Sequence, residues 1–309
     1  MADEAPATYQ TTRRVLRELE LTVTRRLDGV VHGDYQGIFP GPGTEAGESR
    51  PYVAGDDVRL IDWNVTARTA VPHVRDPVFD HDLDVWLLVD LSPSQHFGTA
   101  RSTKRDDVVA TGLALATPVV GAGNRVGALL LTADGIATIP PRPGRPHLLA
   151  ILHRTLTTGR SQGGGRTDLS AALDRLGALA HRRSVVAVIS DFLVTPGWPR
   201  ALGRLATRHD VIAAEIVDPR ELQLPAVGIL TLVDPETGAA RVVDTSSRQL
   251  RARFARAAAE QRAGIARTIA GAGVDHLVVR TDADCLSQVA EFLLQRRRRN
   301  QTYRRRGRP

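Results

Sequence analysis

From residue 83 onward the chain alternates short apolar runs with stretches of helical character, and this alternation leaves few folds open. Leu83–Val89, Val126–Thr132, Ser184–Ser190, Val211–Val217 and Val274–Arg280 each have strand length. The first two lack the polar alternation of a strand with one wet face, so they read as buried on both faces. Between and after them, 104–121, 146–157, 168–181, 198–208, 247–271 and 283–295 read as helices. Parallel neighbours need a crossover connection, and a helix supplies one. The expected fold is therefore α/β, a doubly wound and mostly parallel sheet with helices on both faces. Ile136–Ile139 is expected as a short edge strand, and 229–244 as an inserted hairpin turning at Gly238. Thr103 with Asp106, and Ser246 with Gln249, have the spacing of capping boxes at helix starts.

The first 80 residues read differently. Val15, Leu16, Leu19, Val23 and Leu27 recur at helical spacing within 11–31, whereas 33–80 is broken by glycines and prolines and reads as an irregular, charge-rich segment. The expected organisation is an N-terminal helical and irregular extension over 1–80, an α/β domain over 81–295 with its hairpin at about 226–245, and an arginine-rich tail over 296–309. That tail holds eight arginines and no acid; the rest of the chain holds 33 basic against 34 acidic residues, a net charge of −1 out of the total of +7. The folded body is thus nearly neutral. A solvated, disordered tail is expected, with nucleic acid or an acidic membrane surface as its alternative partner. Lys104 stands alone against forty arginines, which reads as coding bias.

Several classes are excluded or disfavoured. No apolar run reaches the length that spans a bilayer, and the acidic N-terminus lacks a signal core, so a cytoplasmic location is expected. Cys285 is the single cysteine, which leaves no internal disulfide or cysteine-based zinc site. No GxxxxGK[ST] occurs, so ATP hydrolysis by this chain is not expected.

Ligands of open α/β sheets bind beyond the carboxyl ends of the strands. After the first run comes Asp90-Leu91-Ser92-Pro93-Ser94; Thr167 follows the glycine run 163–165; Asp191 follows SVVAVIS. Alternate residues of an extended segment point the same way, so Asp90, Ser92 and Ser94 can converge. All five groups offer hard oxygen, which suits Mg²⁺, Mn²⁺ or Ca²⁺ rather than zinc or copper. Taken singly, each has a plain structural reading: Asp and Ser are turn residues, and Thr167 is placed to cap the next helix.

Asp90-x-Ser92-x-Ser94 with Thr167 and Asp191 resembles the metal-ion-dependent adhesion site of von Willebrand factor type A domains. Upstream, Arg50, Tyr52, Gly55, Asp56, Asp57, Arg59, Asp62, Trp63 and Arg68 resemble the signature of the family called domain of unknown function 58, in which that signature precedes a type A-like domain. The likeness covers roughly 27–295. It implies an intracellular protein that works with a MoxR-type AAA+ ATPase and has no established biochemical activity. Gln95-His96 departs from the type A pattern, where an apolar residue is more usual. By itself, the interleaving of Asp56, Asp57 and Asp62 with Arg50, Arg59, Arg68 and Arg75 reads as a network of Arg–carboxylate pairs that fixes an irregular segment, or else as a docking face.

Two uses of the site follow. One is a binding module in which an acidic group of a protein partner completes the shell of the ion. The other is a Mg²⁺- or Mn²⁺-dependent hydrolase with His96 as general base, which lacks further catalytic groups.

Overall fold

The computed structural model describes residues 21–23, 25, 45–53, 61–78, 83–121, 124–158, 167–194, 197–235 and 237–306. Its centre is a six-stranded sheet built from β3 (Asp84–Asp90), β4 (Arg125–Thr132), β5 (Gly135–Pro143), β6 (Val185–Ser190), β7 (Asp210–Val217) and β10 (Asp275–Arg280). The strand order is β10-β7-β6-β3-β4-β5. Every neighbouring pair is parallel except β4 with β5.

The apolar runs are buried because both faces of the sheet are covered. Val85, Leu87 and Val89 of β3, with Val185, Ala187 and Ile189 of β6, face one core. This core is completed by α2 (Lys104–Gly121), α3 (Arg145–Thr157) and α8 (Cys285–Arg306). The alternate residues Trp86 and Leu88, with Val186 and Val188, face the other core, which is completed by α4 (Leu169–Leu179), α5 (Trp198–Ala206) and α7 (Arg248–Gly271). This is the period-two pattern of a strand sandwiched between two helical layers. Helix α2 is buried along most of its length, as an all-round apolar helix must be. Gly127 of β4 is required by close packing: a Cβ there would lie 2.9 Å from Pro141 N and 3.1 Å from the Trp86 ring.

The expected doubly wound sheet is thus present, with differences in detail. The short edge strand expected at 136–139 runs over Gly135–Pro143, lengthened by its pairing with β4. The box at Thr103 and Asp106 forms reciprocally. The second cap lies one residue later than expected, at Ser247, whose hydroxyl accepts from Leu250 N at 3.2 Å. The inserted hairpin forms from β8 (Ile229–Val233) and β9 (Ala240–Asp244), with Gly238 at φ 71°. Of the N-terminal helix expected over 11–31, only 21–23 and 25 are described; they are helical, and Val23 lies in the first core.

The segment 33–80, read as irregular, contains regular elements in its described part. Strands β1 (Glu45–Pro51) and β2 (His73–Val78) pair antiparallel around the short helix α1 (Trp63–Thr69). Glycine and proline inside β1 hid it from pattern reading, and pairing with β2 supplies what local propensity lacks. The last helix does not stop at 295 but continues to Arg306. Arg296 is buried and pairs with Asp210 and Asp275, and Arg299 also pairs with Asp275. Ion pairing to the first residues of β7 and β10 extends the helix into the segment expected to be a disordered tail.

Candidate metal centre

In the sheet order, β3 has β4 on one side and β6 on the other, so the winding reverses between β3 and β6. This is the switch point at which α/β sheets open a crevice beyond their carboxyl ends. Asp90 is the last residue of β3, and Asp191 directly follows β6.

Hydrogen bonds join four of the five predicted residues. Ser92 N donates to Asp90 Oδ1 at 2.9 Å, the hydroxyls of Ser92 and Ser94 are 2.9 Å apart, and Ser94 Oγ donates to Asp191 Oδ2 at 2.8 Å. Asp90, Ser92 and Asp191 are buried, while Ser94 is half-buried and gives the cluster its contact with solvent. Thr167 is buried as well, and it is not the cap of α4: Asp168 takes that role, accepting from Ala171 N at 3.0 Å. Burial and a position just before that cap do not by themselves tie Thr167 to the cluster, whereas the other four are tied by named bonds.

Three further residues complete the site. Ser190 Oγ donates to Asp90 Oδ2 at 2.6 Å and accepts from Phe192 N. Phe192 holds φ 55°, a left-handed conformation unusual for a bulky residue; it lets Leu193 N turn back onto Asp191 Oδ1 at 3.0 Å. The third is Lys104, at the first position of α2 and fully buried. Its Nζ lies 2.7 Å from Asp191 Oδ2 and 2.5 Å from Glu221 Oε1. The lone lysine therefore has a structural explanation, and the reading as coding bias is corrected for this position.

Glu221 is itself held. It closes α6 (Pro219–Leu222) in a capping box with Asp218, a fully buried carboxylate at the end of β7. Asp218 also accepts from Thr99 N, Thr99 Oγ1 and Thr281 Oγ1. The string Asp218-Pro-x-Glu221 shows this box in the sequence, but nothing local links it to a site 30 residues upstream. Gly98 completes the frame: a Cβ there would lie 2.5 Å from Thr103 Cα, next to Lys104.

The charges interact strongly. Burial first, and then the negative charge of Asp191, push the Asp90 carboxyl up to about 6. Burial also acts to raise Asp191, but the ammonium of Lys104 and its hydrogen bond outweigh it and hold Asp191 below the usual carboxylate range. Burial raises Glu221 despite the same ammonium. Lys104 is raised because its two carboxylates outweigh the burial that alone would lower it.

A divalent ion fits this donor set. Asp90 is fully buried, both its oxygens accept from neutral donors, and no cation pairs with it among the described residues. Asp90 thus has no paired cation of its own, Lys104 being paired with Asp191 and Glu221, and the oxygens of Asp90, Ser92, Ser94 and Asp191 are hard ligands. No group of three or more His, Cys, Asp or Glu side chains placed to hold a metal occurs among the described residues; the set here mixes carboxylates with hydroxyls. A cavity of about 20 Å³ beside Asp191, lined also by Glu215, Glu221 and Arg262, has room for about one water.

His96 follows Ser94 by two residues, and its Nε2 lies 3.0 Å from Arg105 Nη1. Arginine can only donate, so this nitrogen accepts and is committed. Arg105 also donates to the carbonyls of Thr155, Leu156 and Thr158 at the end of α3. In the upstream signature, Asp62 caps α1, accepting from Asn64 N and Val65 N, and takes a 2.6 Å bond from Ser49 Oγ. Arg50 lies on β1, Tyr52 N donates to Pro72 O, and Trp63 and Arg68 are exposed on α1. Gly55, Asp56, Asp57 and Arg59, and with them most of the expected Arg–carboxylate network, lie outside the described residues.

Fold and site together define an α/β protein with an oxygen-rich cluster at the switch point of its sheet. The chain belongs to the family described as protein of unknown function DUF58, whose model matches residues 48–264. It is 47% identical over 283 residues to uncharacterized protein Rv1480 of Mycobacterium tuberculosis and to uncharacterized protein Mb1516 of Mycobacterium bovis, covering 92% of this chain and 89% of each relative. Among solved structures, BatB from Bacteroides thetaiotaomicron matches 71% of this chain and 99% of its own, with a TM-score of 0.44 and 16% identity. The SpRpn10 VWA domain matches 67% of this chain and 93% of its own, with a TM-score of 0.37 and 12% identity.

Proposed function

We propose that this protein is a metal-dependent protein-interaction module that captures an acidic group of its partner at the end of β3 and β6. Asp90, Ser92, Ser94, Thr167 and Asp191 would hold the ion, with Mg²⁺ as the first choice and Mn²⁺ or Ca²⁺ as substitutes. When bound, the ion supplies a coordination position for an incoming carboxylate. The chain's own residues do the rest. Ser190 and the Ser92 amide fix Asp90, Ser94 orients Asp191, and the half-buried Ser94 faces the approach. The observation that carries this reading is the fully buried Asp90, bonded to neutral donors among the described residues and beside a second carboxylate.

The proposed partner is a MoxR-type AAA+ ATPase, for which this protein would act as an adaptor or assembly factor in the cytoplasm. No helix among the described residues is long and apolar enough to cross a membrane, which is compatible with that location. Capture of the purified ATPase on immobilised protein tests the reading. Retention is expected in Mg²⁺ and is expected to fall at least about tenfold in EDTA or with Asp90→Ala, the loss of about 1.4 kcal/mol. Equal retention with and without the ion contradicts it.

A further inference from the structure

The lone lysine among 41 basic residues is fully buried and spans two carboxylates. Arginine serves every other cationic position of this chain except histidine, the buried, doubly ion-paired Arg296 included. A compact ammonium puts a point charge where a planar guanidinium needs room for a fork. Its placement is rigid. Lys104 N donates to Phe97 O at 2.9 Å, the Thr103–Asp106 box fixes the start of α2, and the Asp218–Glu221 box fixes one of its two carboxylates.

The charge count is informative. Asp90, Asp191 and Glu221 bring three negative charges, and Lys104 one positive charge. The fully ionised cluster is left at −2, the charge a divalent ion cancels. The ammonium and the Ser94 hydroxyl share one oxygen, Asp191 Oδ2, while Oδ1 accepts from Leu193 N. The oxygen that faces the serines is thus already partly neutralised by a cation of the protein itself.

We propose that Lys104 is a tethered cation of this site: it holds Asp191 and Glu221 in place so that the fold does not depend on a bound ion, and it keeps the affinity for a divalent ion low. The inference rests on reading the cluster as a divalent-ion centre. It assigns Lys104 a positioning and affinity-setting role rather than a ligand role.

The test compares the full chain with Lys104→Met, and with Asp90→Ala as control, by calorimetric titration of Mn²⁺ and by melting in EDTA and in Mn²⁺. The wild-type protein is expected to melt at nearly the same temperature in both. Lys104→Met is expected to melt lower in EDTA, to recover in Mn²⁺, and to bind Mn²⁺ at least about tenfold tighter. Removing a unit positive charge from within several ångströms of the ion, at an effective dielectric near 20, is worth at least that factor. A purely structural lysine would lower stability without tightening the ion. Lys104→Met that binds no tighter than wild type, or that stays unfolded with and without Mn²⁺, overturns the inference. Asp90-dependent Mn²⁺ binding by the wild type, with no gain in Lys104→Met, leaves the ion-centre reading standing while the role of Lys104 fails. Tight binding by Lys104→Met alone supports the role of Lys104 and counts against an ion in the wild-type site. No binding by either defeats both.

Discussion

Asp218 is the residue whose removal tests most sharply how the ends of β7 and β10 are tied to the site. Its carboxylate accepts from Thr99 N at 2.9 Å, Thr99 Oγ1 at 2.6 Å, Arg220 N at 2.8 Å and Thr281 Oγ1 at 2.9 Å. In Asp218→Ala the cap of α6 is lost, which costs about 1 kcal/mol. The hydroxyl of Thr281 is fully buried, and losing its acceptor costs about 1–3 kcal/mol more. Thr99 is exposed, so its donors turn to water at little cost. The expected loss is about 2–4 kcal/mol at pH 7, read by guanidinium unfolding followed by circular dichroism. The pH dependence is a second check. Burial acts to raise the Asp218 carboxyl, but the bonds from Thr99, Arg220 and Thr281 prevail and hold it below its ordinary value of 3.8. A carboxylate lowered on folding contributes stability above 3.8 and loses it as the pH falls through the folded value. The penalty of Asp218→Ala is therefore expected to shrink below about pH 4. A variant within about 0.5 kcal/mol of wild type at pH 7, the spread of ordinary surface changes, would show that these bonds do not hold the ends of β7 and β10 together.

Three other predictions concern the frame around the site. Burial and then the neighbouring Asp106 and Asp284 carboxylates raise Asp107 to about 6, against the opposing bond from Ser102. A carboxyl raised on folding costs stability as the pH rises from about 4 to 6, so Asp107→Asn is expected to gain more over wild type at pH 7.5 than at pH 4.5; an equal difference at both, in urea titrations, contradicts this. Burial pushes the Cys285 thiol up to about 12, so native protein at pH 8 is expected to resist iodoacetamide and to react once unfolded, with mass spectrometry as the readout. Gly127→Ala places a Cβ 2.9 Å from Pro141 N and 3.0 Å from Ile139 O, both backbone atoms, and is expected to cost about 1–3 kcal/mol; a variant as stable as wild type in thermal melts would show that the β4–β5 pair yields easily.

The central sheet was legible because strands buried on both faces become continuous apolar runs, as in VVAVIS of β6. The convergence of Asp90, Ser92, Ser94 and Asp191 was legible because position after a strand has a fixed meaning in an open α/β sheet. What could not be read depends on distance along the chain. Lys104 lies 87 residues from Asp191 and 117 from Glu221, and a single lysine at a helix start carries no sign of its partners. Strand β1 holds Gly47 and Pro51, so only its pairing with β2 defines it. The helical character of 296–306 was hidden for the same reason: an arginine run reads as solvated until Asp210 and Asp275 are seen to meet Arg296. Ser190 reads in the sequence only as the end of a strand, and its hydroxyl supports Asp90.

The proposed function requires an ion held between the ends of β3 and β6. Anomalous diffraction at the manganese edge, from crystals of the wild-type protein soaked in millimolar Mn²⁺, addresses that most directly. A peak in contact with the hydroxyls of Ser92 and Ser94 is expected. Well-ordered side chains there with no anomalous signal, or manganese seated elsewhere in the molecule, would contradict it.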